Sequence, residues 1–440
     1  MDFVCDNITI NEDGHIALAG VDTVLLAEKY KTPLYLMDED RIRRNCRIYK
    51  AAFEKNFREG SRPLFASKAC SFAGIYEIMQ EEGLGIDLVS CGEMFTAFKA
   101  GFDLRAAYFH GNNKTDDDIC MALDKNVGCF VADNKEELDA INLMAAERGK
   151  VQKILIRLTP GIDPHTYEAV NTGMVDSKFG QAIATGAAEE ITGYALGLKN
   201  IDLKGFHCHV GSQVFAEDVF ERAAAVMLEF IASMKEKYGF EAEELNLGGG
   251  YGVRYVEGDP HINIAERIDA LAQAIHGQCS ELSIAEPKIF MEPGRSIVAD
   301  AGMTIYSVGT VKNIPGYKTY VSVDGGMSDN PRYALYGSEY SCFCADKAAQ
   351  AHDMTVTLAG RCCESGDIVQ ENVQLPSDIK RNDLIAVCTT GAYNYSMASN
   401  YNRLPRPAVV MLKDGQDRVV VRRESFEDLT ALDVIGSGNA

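Results

Sequence analysis

The chain has 440 residues, 46% of them hydrophobic, which is enough for two domains with their own cores. No run of about 18 apolar residues is present, so the sequence predicts no membrane-spanning helix. The net charge of -21 argues against nucleic acid or an anionic membrane as a partner. Thirteen scattered cysteines are typical of reduced thiols, and the N-terminus lacks the pattern of a signal peptide, so we expect a cytoplasmic location.

Short β-type runs alternate with amphipathic helical segments from residue 33 to the region of residue 292. The runs that predict buried strands are 64–67, 86–89, 107–110, 129–132, 154–158, 204–209, 245–247 and 289–291. The clearest helical segments between them are 117–124, 135–148, 216–238 and 264–276. Repeated strand–helix alternation predicts a (β/α)8 TIM-like barrel, which we place at residues 33–295. An open, doubly wound α/β sheet remains the alternative, because periodicity alone does not close a barrel.

The pattern becomes β-rich after the predicted barrel, with turns and few helical segments. The predicted strands there are 303–311, 319–323, 354–358, 384–387, 407–411 and 418–421. They predict a mostly antiparallel β domain, a sandwich or barrel-like unit of residues 296–440. Residues 1–32, with alternating Ile8 and Ile10, precede the first barrel motif, so we assign them to this domain.

Polar and glycine-rich positions lie at the C-terminal ends of the predicted barrel strands, on the face where such barrels build active sites. They are Lys68, Asp87, His110, Arg157, His209, Gly248–Gly250 and Glu292. Lys68 ends an apolar run and has small residues on both sides. This setting suits a lysine that forms a Schiff base, because desolvation lowers an ammonium pKa and small neighbours leave room for a cofactor. The alternative is an ordinary lysine at the barrel mouth.

Three clusters later in the barrel can each be interpreted in two ways. The glycines from Gly248 to Gly252 either present backbone N–H groups to a phosphate or form a tight turn. His207 and His209, with no third ligand at convincing spacing, fit an aromatic contact to a flat cofactor better than a metal, so we predict no metal site. Glu292 either pairs with Arg295 or bonds a cofactor ring nitrogen.

Loops of the second domain carry further candidates. Cys363 and Glu364 lie in a polar, glycine-bearing loop, a plausible place for an acid and a substrate anchor. A glycine-rich stretch that starts at Asp324 presents Arg332 and Tyr336, and Tyr393 lies beside small residues. Each loop would pass for an ordinary connection if it stood alone.

Together and in this order, these segments resemble the alanine-racemase-fold (fold type III) family of pyridoxal-phosphate (PLP) decarboxylases, from Tyr35 to Pro407. The resemblance implies a PLP-binding barrel and a β domain, with Lys68 as the Schiff-base lysine. It also implies that Glu292 keeps the pyridine ring protonated, where family racemases have an arginine, and this favours decarboxylation. The other implied cofactor contacts are Asp87, Arg157, His209 (stacked on the ring), Ser212, Gly249, Gly250, Gly294, Arg295 and Tyr393.

The same resemblance implies a homodimer with shared active sites, in which Cys363 donates a proton. Arg295, Arg332 and Tyr336 match positions that hold the distal carboxylate of the substrate, Glu364 matches the position that binds its distal ammonium, and Tyr393 also contacts it. The implied reaction converts meso-2,6-diaminopimelate to L-lysine and CO2, the last step of lysine biosynthesis. The alternative substrates are ornithine, arginine and carboxynorspermidine. Tyr333 stands where the family usually has proline, which loosens this loop.

Overall fold

A computed structural model describes residues 3–162, 177–434 and 436. The chain forms two compact units. One contains Arg43–Val253 and Pro260–Ile297, and the other contains Met1–Ile42, Arg254–Asp259 and Val298–Ala440. None of the described helices is long and apolar enough to cross a membrane. All thirteen cysteines are free thiols.

The N-terminal elements belong to the second unit. They are β1 (Ile8–Ile10), β2 (Ile16–Leu18), β3 (Val21–Asp22), α1 (Thr23–Tyr30) and β4 (Leu34–Asp38). The first three strands form a small antiparallel sheet. Asp22 starts α1 because its carboxylate accepts hydrogen bonds from the N–H groups of Val24 and Leu25. The barrel unit begins at Arg43 rather than at residue 33, because β4 pairs with strands of the β domain.

Eight parallel strands close the barrel in the first unit. They are β5 (Arg62–Ala66), β6 (Gly85–Leu88), β7 (Ala107–Phe109), β8 (Cys129–Ala132), β9 (Gln152–Thr159), β11 (Ile201–His207), β12 (Glu244–Asn246) and β13 (Lys288–Met291), while β10 (Gln181–Ala182) pairs with β9. Pairing of β13 with β5 closes the ring, so the predicted barrel is confirmed and the open sheet is wrong. Leu64, Tyr108, Val131 and Phe290 pack in one buried cluster, as expected for strands with an apolar interior.

Helices alternate with the barrel strands along the chain. They are α2 (Glu39–Asn56), α3 (Ala73–Glu82), α4 (Cys91–Lys99), α5 (Asp116–Asp124), α6 (Lys135–Glu147), α7 (Ala187–Leu196), α8 (Val219–Tyr238), α9 (Ile264–Leu282) and α10 (Arg295–Val298). Several start at side chains that accept a backbone N–H, including Ser90, Thr115, Asn134 and Asn263. These caps fix where each strand-to-helix loop ends, and therefore where its side chains lie.

The β domain continues with strands that pair mostly antiparallel. Its elements are β14 (Gly302–Ile314), β15 (Lys318–Val323), α11 (Arg332–Tyr336), β16 (Cys342–Cys344), β17 (Met354–Ala359), β18 (Ile368–Leu375), β19 (Leu384–Cys388), β20 (Ala408–Lys413), β21 (Gln416–Val421) and α12 (Phe426–Thr430). The main sheet has the order β18-β17-β15-β14-β4-β20-β21. Ile8, Ile16 and Leu18 pack with Ile305 and Val410 in one core, which confirms that the N-terminal segment joins this domain.

Candidate active site

Lys68 lies in a one-turn 3-10 helix, Ser67–Ala69, directly after β5. The residues around Lys68 are small because Gly294 packs closely against them. A Cβ on Gly294 would come within 2.9 Å of both Ala66 Cβ and Ala69 Cβ. The backbone N–H of Ala66 also donates to Pro293 O at 3.1 Å. The side chain of Lys68 is exposed, which differs from the desolvated setting that we expected.

The carboxylate of Glu292 is buried directly after β13 and receives hydrogen bonds on both oxygens. Asn246 Nδ2 donates to Oε1 at 2.7 Å, His110 Nε2 lies 2.8 Å from Oε1, and His207 Nε2 lies 3.2 Å from Oε2. Burial acts to raise the pKa of Glu292, but the two histidines outweigh it and hold this pKa well below its ordinary value. Burial lowers the pKa of His207 to about 4, so this ring is neutral at neutral pH. The strand ends thus hold a buried carboxylate in its ionised form.

Asp87, inside β6, shares this polar centre. Its Oδ1 lies 3.9 Å from His110 Nε2 and is buried with no hydrogen-bond partner among the described residues. Burial raises the pKa of Asp87, and the charge of Glu292 adds to this rise. Glu93, in the first turn of α4, is a further carboxyl here, and burial raises its pKa to about 7, with a contribution from the charge of Asp87.

Arg157 lies on β9, four strands around the ring from β5, so its side chain comes from the side of the barrel opposite β5. Its guanidinium carbon stands 4.3 Å from the centroid of the Phe179 ring. Burial lowers the pKa of Arg157, and the charges of Asp133 and Glu292 oppose this. Sequence reasoning identified the residue but not its position around the ring.

The glycine run after β12 packs against the neighbouring strand ends. A Cβ on Gly249 would lie 1.9 Å from Glu292 O, and one on Gly250 would lie 2.2 Å from Gly211 O. Any side chain at these two positions would therefore collide with backbone. Only glycine allows the loop to approach the neighbouring backbone this closely. The loop therefore presents backbone groups, and no side chains, at the strand ends.

His209 follows the end of β11, so only His207 lies on the strand, and the predicted strand 204–209 begins three residues and ends two residues later than the observed one. Burial lowers the pKa of His209 well below its ordinary value, and the positive charge of Lys68 acts in the same direction. The imidazole is therefore neutral at neutral pH. It lies near the glycine run, since a Cβ on Gly248 would be 2.8 Å from His209 Nδ1.

Ser212 and Arg295 are joined by a hydrogen bond. Arg295 Nη2 donates to Ser212 Oγ at 3.0 Å. Arg295 is the first residue of α10 and is buried, whereas Ser212 is half-buried in the loop after β11. This pair places a cation and a hydroxyl together at the strand ends, a combination suited to an anionic group.

In the β domain, Arg332 is buried at the start of α11 within a group of tyrosines. Its Nη1 donates to Tyr340 OH at 3.0 Å and its Nη2 to Ser338 Oγ at 3.2 Å. The guanidinium carbon lies 5.1 Å from the Tyr255 ring centroid and 5.9 Å from that of Tyr393. The structure therefore brings Arg332 and Tyr393 together, as a cation held by neutral hydroxyls and aromatic faces.

Three predicted residues of this domain face solvent. Tyr336 ends α11 and is exposed. Cys363 and Glu364 are exposed in the loop between β17 and β18. Cys363 N donates to Asn402 Oδ1 at 2.7 Å, and Gly366 N donates to a carboxylate oxygen of Glu364 at 3.2 Å.

Sequence reasoning assigned no role to His110, His207 or Asn246 at Glu292. The position of each at or just after a strand end was the signal that was available for all three. The ligand atoms of His110, His207 and Glu292 lie within 4.8 Å of one another, a spacing that a metal ion also accepts. Because Asn246 Nδ2, a hydrogen-bond donor, points at the same carboxylate, a hydrogen-bonded network accounts for the arrangement.

These features define the class of the protein, a barrel enzyme that binds an aromatic, phosphate-bearing cofactor. A lysine, an ionised buried carboxylate, glycine loops without room for side chains and a serine–arginine pair meet at one barrel face. The donor set fits PLP, which needs an amine, a partner for its ring nitrogen and donors for its phosphate.

Comparison with known proteins gives the family. Residues 39–299 match the family described as "Pyridoxal-dependent decarboxylase, pyridoxal binding domain". The chain belongs to the pyridoxal-dependent decarboxylase family, and its cofactor is PLP.

Within that family, the chain is similar to diaminopimelate decarboxylases. The chain is 43% identical over 424 residues to the diaminopimelate decarboxylase of Bacillus subtilis, covering 96% of each chain. A crystal structure of diaminopimelate decarboxylase from M. jannaschii in complex with L-lysine is 32% identical, with a TM-score of 0.89 and 99% of each chain covered. The Helicobacter pylori enzyme with L-lysine is 31% identical, with a TM-score of 0.85 over 94% of this chain and 99% of that one.

Proposed function

We propose that this protein decarboxylates meso-2,6-diaminopimelate to L-lysine and CO2, as the last step of lysine biosynthesis. The single observation that carries the type of reaction is the buried carboxylate of Glu292, which accepts hydrogen bonds from Asn246 and His207 and lies 2.8 Å from His110 Nε2. The substrate rests on near-full-length similarity to diaminopimelate decarboxylases and on the cationic group around Arg332.

When bound, PLP supplies an electron sink for the carbanion left by loss of CO2. Glu292 would accept a hydrogen bond from the protonated ring nitrogen and so keep that proton in place. His110 and His207 hold the carboxylate ionised for this role, and Asn246 donates a further hydrogen bond to it. Neutral His209 would present its ring to the cofactor, and Lys68 would supply the amine that binds the aldehyde carbon.

Several further residues would hold the cofactor. Ser212, Gly249 and Gly250 would bind the phosphate together with Gly294 and Tyr393. Arg295 would support Ser212 through their hydrogen bond and reach toward the substrate. Asp87 and Arg157 would act from opposite sides of the barrel on the amine of Lys68.

The far end of diaminopimelate carries a carboxylate and an ammonium, so its site needs both cations and an anion. Arg332 and Tyr336, with Arg295, would bind that carboxylate, while Glu364 would bind the ammonium and Tyr393 would line the site. Cys363 would donate the proton that replaces CO2 at the α-carbon. A site built around a buried arginine rejects analogues that leave it unpaired.

We also propose a cytoplasmic homodimer in which Cys363 and Glu364 of one chain complete the site in the barrel of its partner. The exposure of both side chains supports this assembly, because in open solvent neither the proton donor nor the carboxylate that binds the substrate ammonium would be shielded from water. Free thiols throughout the chain support a reducing compartment.

The test measures CO2 release by purified enzyme supplied with PLP, with meso-diaminopimelate, ornithine, arginine and carboxynorspermidine as substrates. We expect kcat/KM for meso-diaminopimelate to exceed that for ornithine by a factor on the order of 10⁴. Release of no CO2 from meso-diaminopimelate would refute the reaction. Preference for a substrate with one carboxylate would refute the role of Arg332.

A further inference from the structure

Asp367 follows the loop that carries Cys363 and Glu364, and its carboxylate is almost completely buried, with 3% exposure. Met327 N donates to Oδ1 at 2.6 Å, and Cys362 N donates to Oδ2 at 2.7 Å. The two donors come from different loops. Cys362 directly precedes Cys363, and Met327 lies on the glycine-rich stretch that leads to Arg332.

Two glycines pack directly against this carboxylate. A Cβ on Gly360 would lie 2.2 Å from Asp367 Oδ2, and one on Gly326 would lie 2.4 Å from Oδ1. The φ of Gly326 is also +151°, a conformation that side chains rarely adopt. Both glycines are therefore required by the position of the carboxylate.

Backbone hydrogen bonds join the same two loops. Arg361 N donates to Gly325 O at 2.9 Å, and Gly360 N donates to Asp367 O at 2.9 Å. The loop of Cys363 is closed by Asp367 N, which donates to Glu364 O at 3.2 Å. The Asp367 carboxylate lies where the two loops meet.

We propose that Asp367 is a positioning residue that fixes the Cys363–Glu364 loop against the loop of Arg332. This inference rests on the proposed function, in which Cys363 and Glu364 of one chain act in the barrel site of its partner, whereas Arg332 of that chain binds the substrate in its own site. A carboxylate has an acceptor oxygen for each of the two N–H groups. Asp367 thereby fixes, within one chain, the loop that serves the partner's site relative to the loop that serves the chain's own site.

The first experiment replaces Asp367 with asparagine in the full-length, PLP-loaded enzyme. The amide keeps the size of the side chain but offers one acceptor oxygen, so one backbone N–H faces an NH2 group and loses its bond. We expect kcat/KM for meso-diaminopimelate to fall about 10- to 100-fold, as for a small misplacement of reacting groups. The visible absorbance of bound PLP should stay unchanged, because Asp367 has no part in holding the cofactor.

A labelling experiment provides a readout that does not depend on activity. Cys362 is buried and its N–H is held by Asp367, so iodoacetamide should modify it at least tenfold faster in Asp367→Asn than in the wild type. Buried Cys388 should stay unlabelled in both proteins. The matched control is Asp378→Asn, which removes an exposed carboxylate of the same domain that pairs with Lys347 and should change neither readout.

Equal labelling of Cys362 in Asp367→Asn and the wild type would overturn the inference. If Asp367→Asn does not fold, hydrogen exchange of the wild-type enzyme decides. The amides of Met327 and Cys362 should then exchange at least tenfold more slowly than that of exposed Ser365, and equal rates would also overturn it. A wild-type enzyme that releases no CO2 would refute the proposed function alone, because labelling and exchange still test Asp367.

Discussion

Replacing Lys114 with methionine should destabilise the barrel strongly, because it breaks a buried ion pair. Lys114 Nζ donates to Glu137 Oε1 at 2.7 Å, and the two side chains are only 1% and 3% exposed. The same ammonium donates to Val131 O at 2.8 Å and to Gly111 O at 3.0 Å. It therefore ties the loop after β7, which starts at His110, to β8 and α6.

The expected loss of unfolding free energy follows from the burial of both side chains. Methionine fills a similar volume but leaves the Glu137 carboxylate buried without its counter-ion, which costs about 3–5 kcal/mol of unfolding free energy. For a unit of this size, that loss lowers Tm by about 6–20 °C. The matched control is Lys135→Met on α6, the helix that carries Glu137. The partner of Lys135 is Glu190. With exposures of 38% and 71%, that pair should contribute at most about 1 kcal/mol.

The destabilisation should also depend on pH. Burial holds the pKa of Glu137 above its ordinary value even beside Lys114, and loss of the ammonium raises this pKa further. A carboxyl whose pKa rises on folding stabilises the fold while it is protonated, and that contribution is lost as the pH rises through the folded-state pKa. Lys114→Met should therefore lose more stability at pH 8 than at pH 5.

Thermal unfolding followed by circular dichroism, at both pH values, measures these effects. The double variant Lys114→Met, Glu137→Leu should regain most of the lost Tm, because no buried charge remains. A Tm for Lys114→Met within 2 °C of that for Lys135→Met would refute the reasoning, as would a failure of the double variant to recover.

The remaining predictions concern the site. Lys68→Ala should abolish the visible absorbance that reports covalent attachment of PLP, and a persistent band would remove Lys68 from that role. Cys363→Ala should keep the band and lower kcat about 10²- to 10⁴-fold, whereas a wild-type rate would exclude Cys363 as the acid. Mixing these two inactive variants should restore part of the activity, and none despite confirmed heterodimers would count against a shared site. His207→Phe removes a donor that holds the pKa of Glu292 low, so the acid limb of the kcat profile should move to higher pH. An unmoved limb would contradict this.

The barrel was predictable because its strands are buried on both faces and separated by amphipathic helices, which leaves a repeated pattern along the chain. The boundary between the two units was less predictable. The apolar run of β4 falls within the range assigned to the barrel, yet it pairs with β14 and β20, because pairing partners far along the chain decide where a buried strand belongs.

The candidate site was predictable where a residue ends a strand and carries a motif, as with Lys68 and Glu292. The partners of Glu292 were not predictable. His110, His207 and Asn246 come from three different strand ends that meet only when the ring closes. The two hydrogen bonds to the Asp367 carboxylate were not predictable for a similar reason. Their donors are backbone N–H groups, and the identity of a side chain does not reveal the direction of a backbone N–H.

The sequence by itself therefore determined the two architectures, the chemistry-bearing residues and their order, because hydrophobic period and local motifs are properties of neighbouring residues. Only the tertiary structure decided which of those residues are hydrogen-bonded or lie close enough to change one another's pKa. Closure of β13 on β5 brings Glu292 to the turn of Lys68 and surrounds its carboxylate with donors. In that low-dielectric setting, distances of about 3 Å decide whether a carboxylate is ionised, and those distances depend on the whole fold.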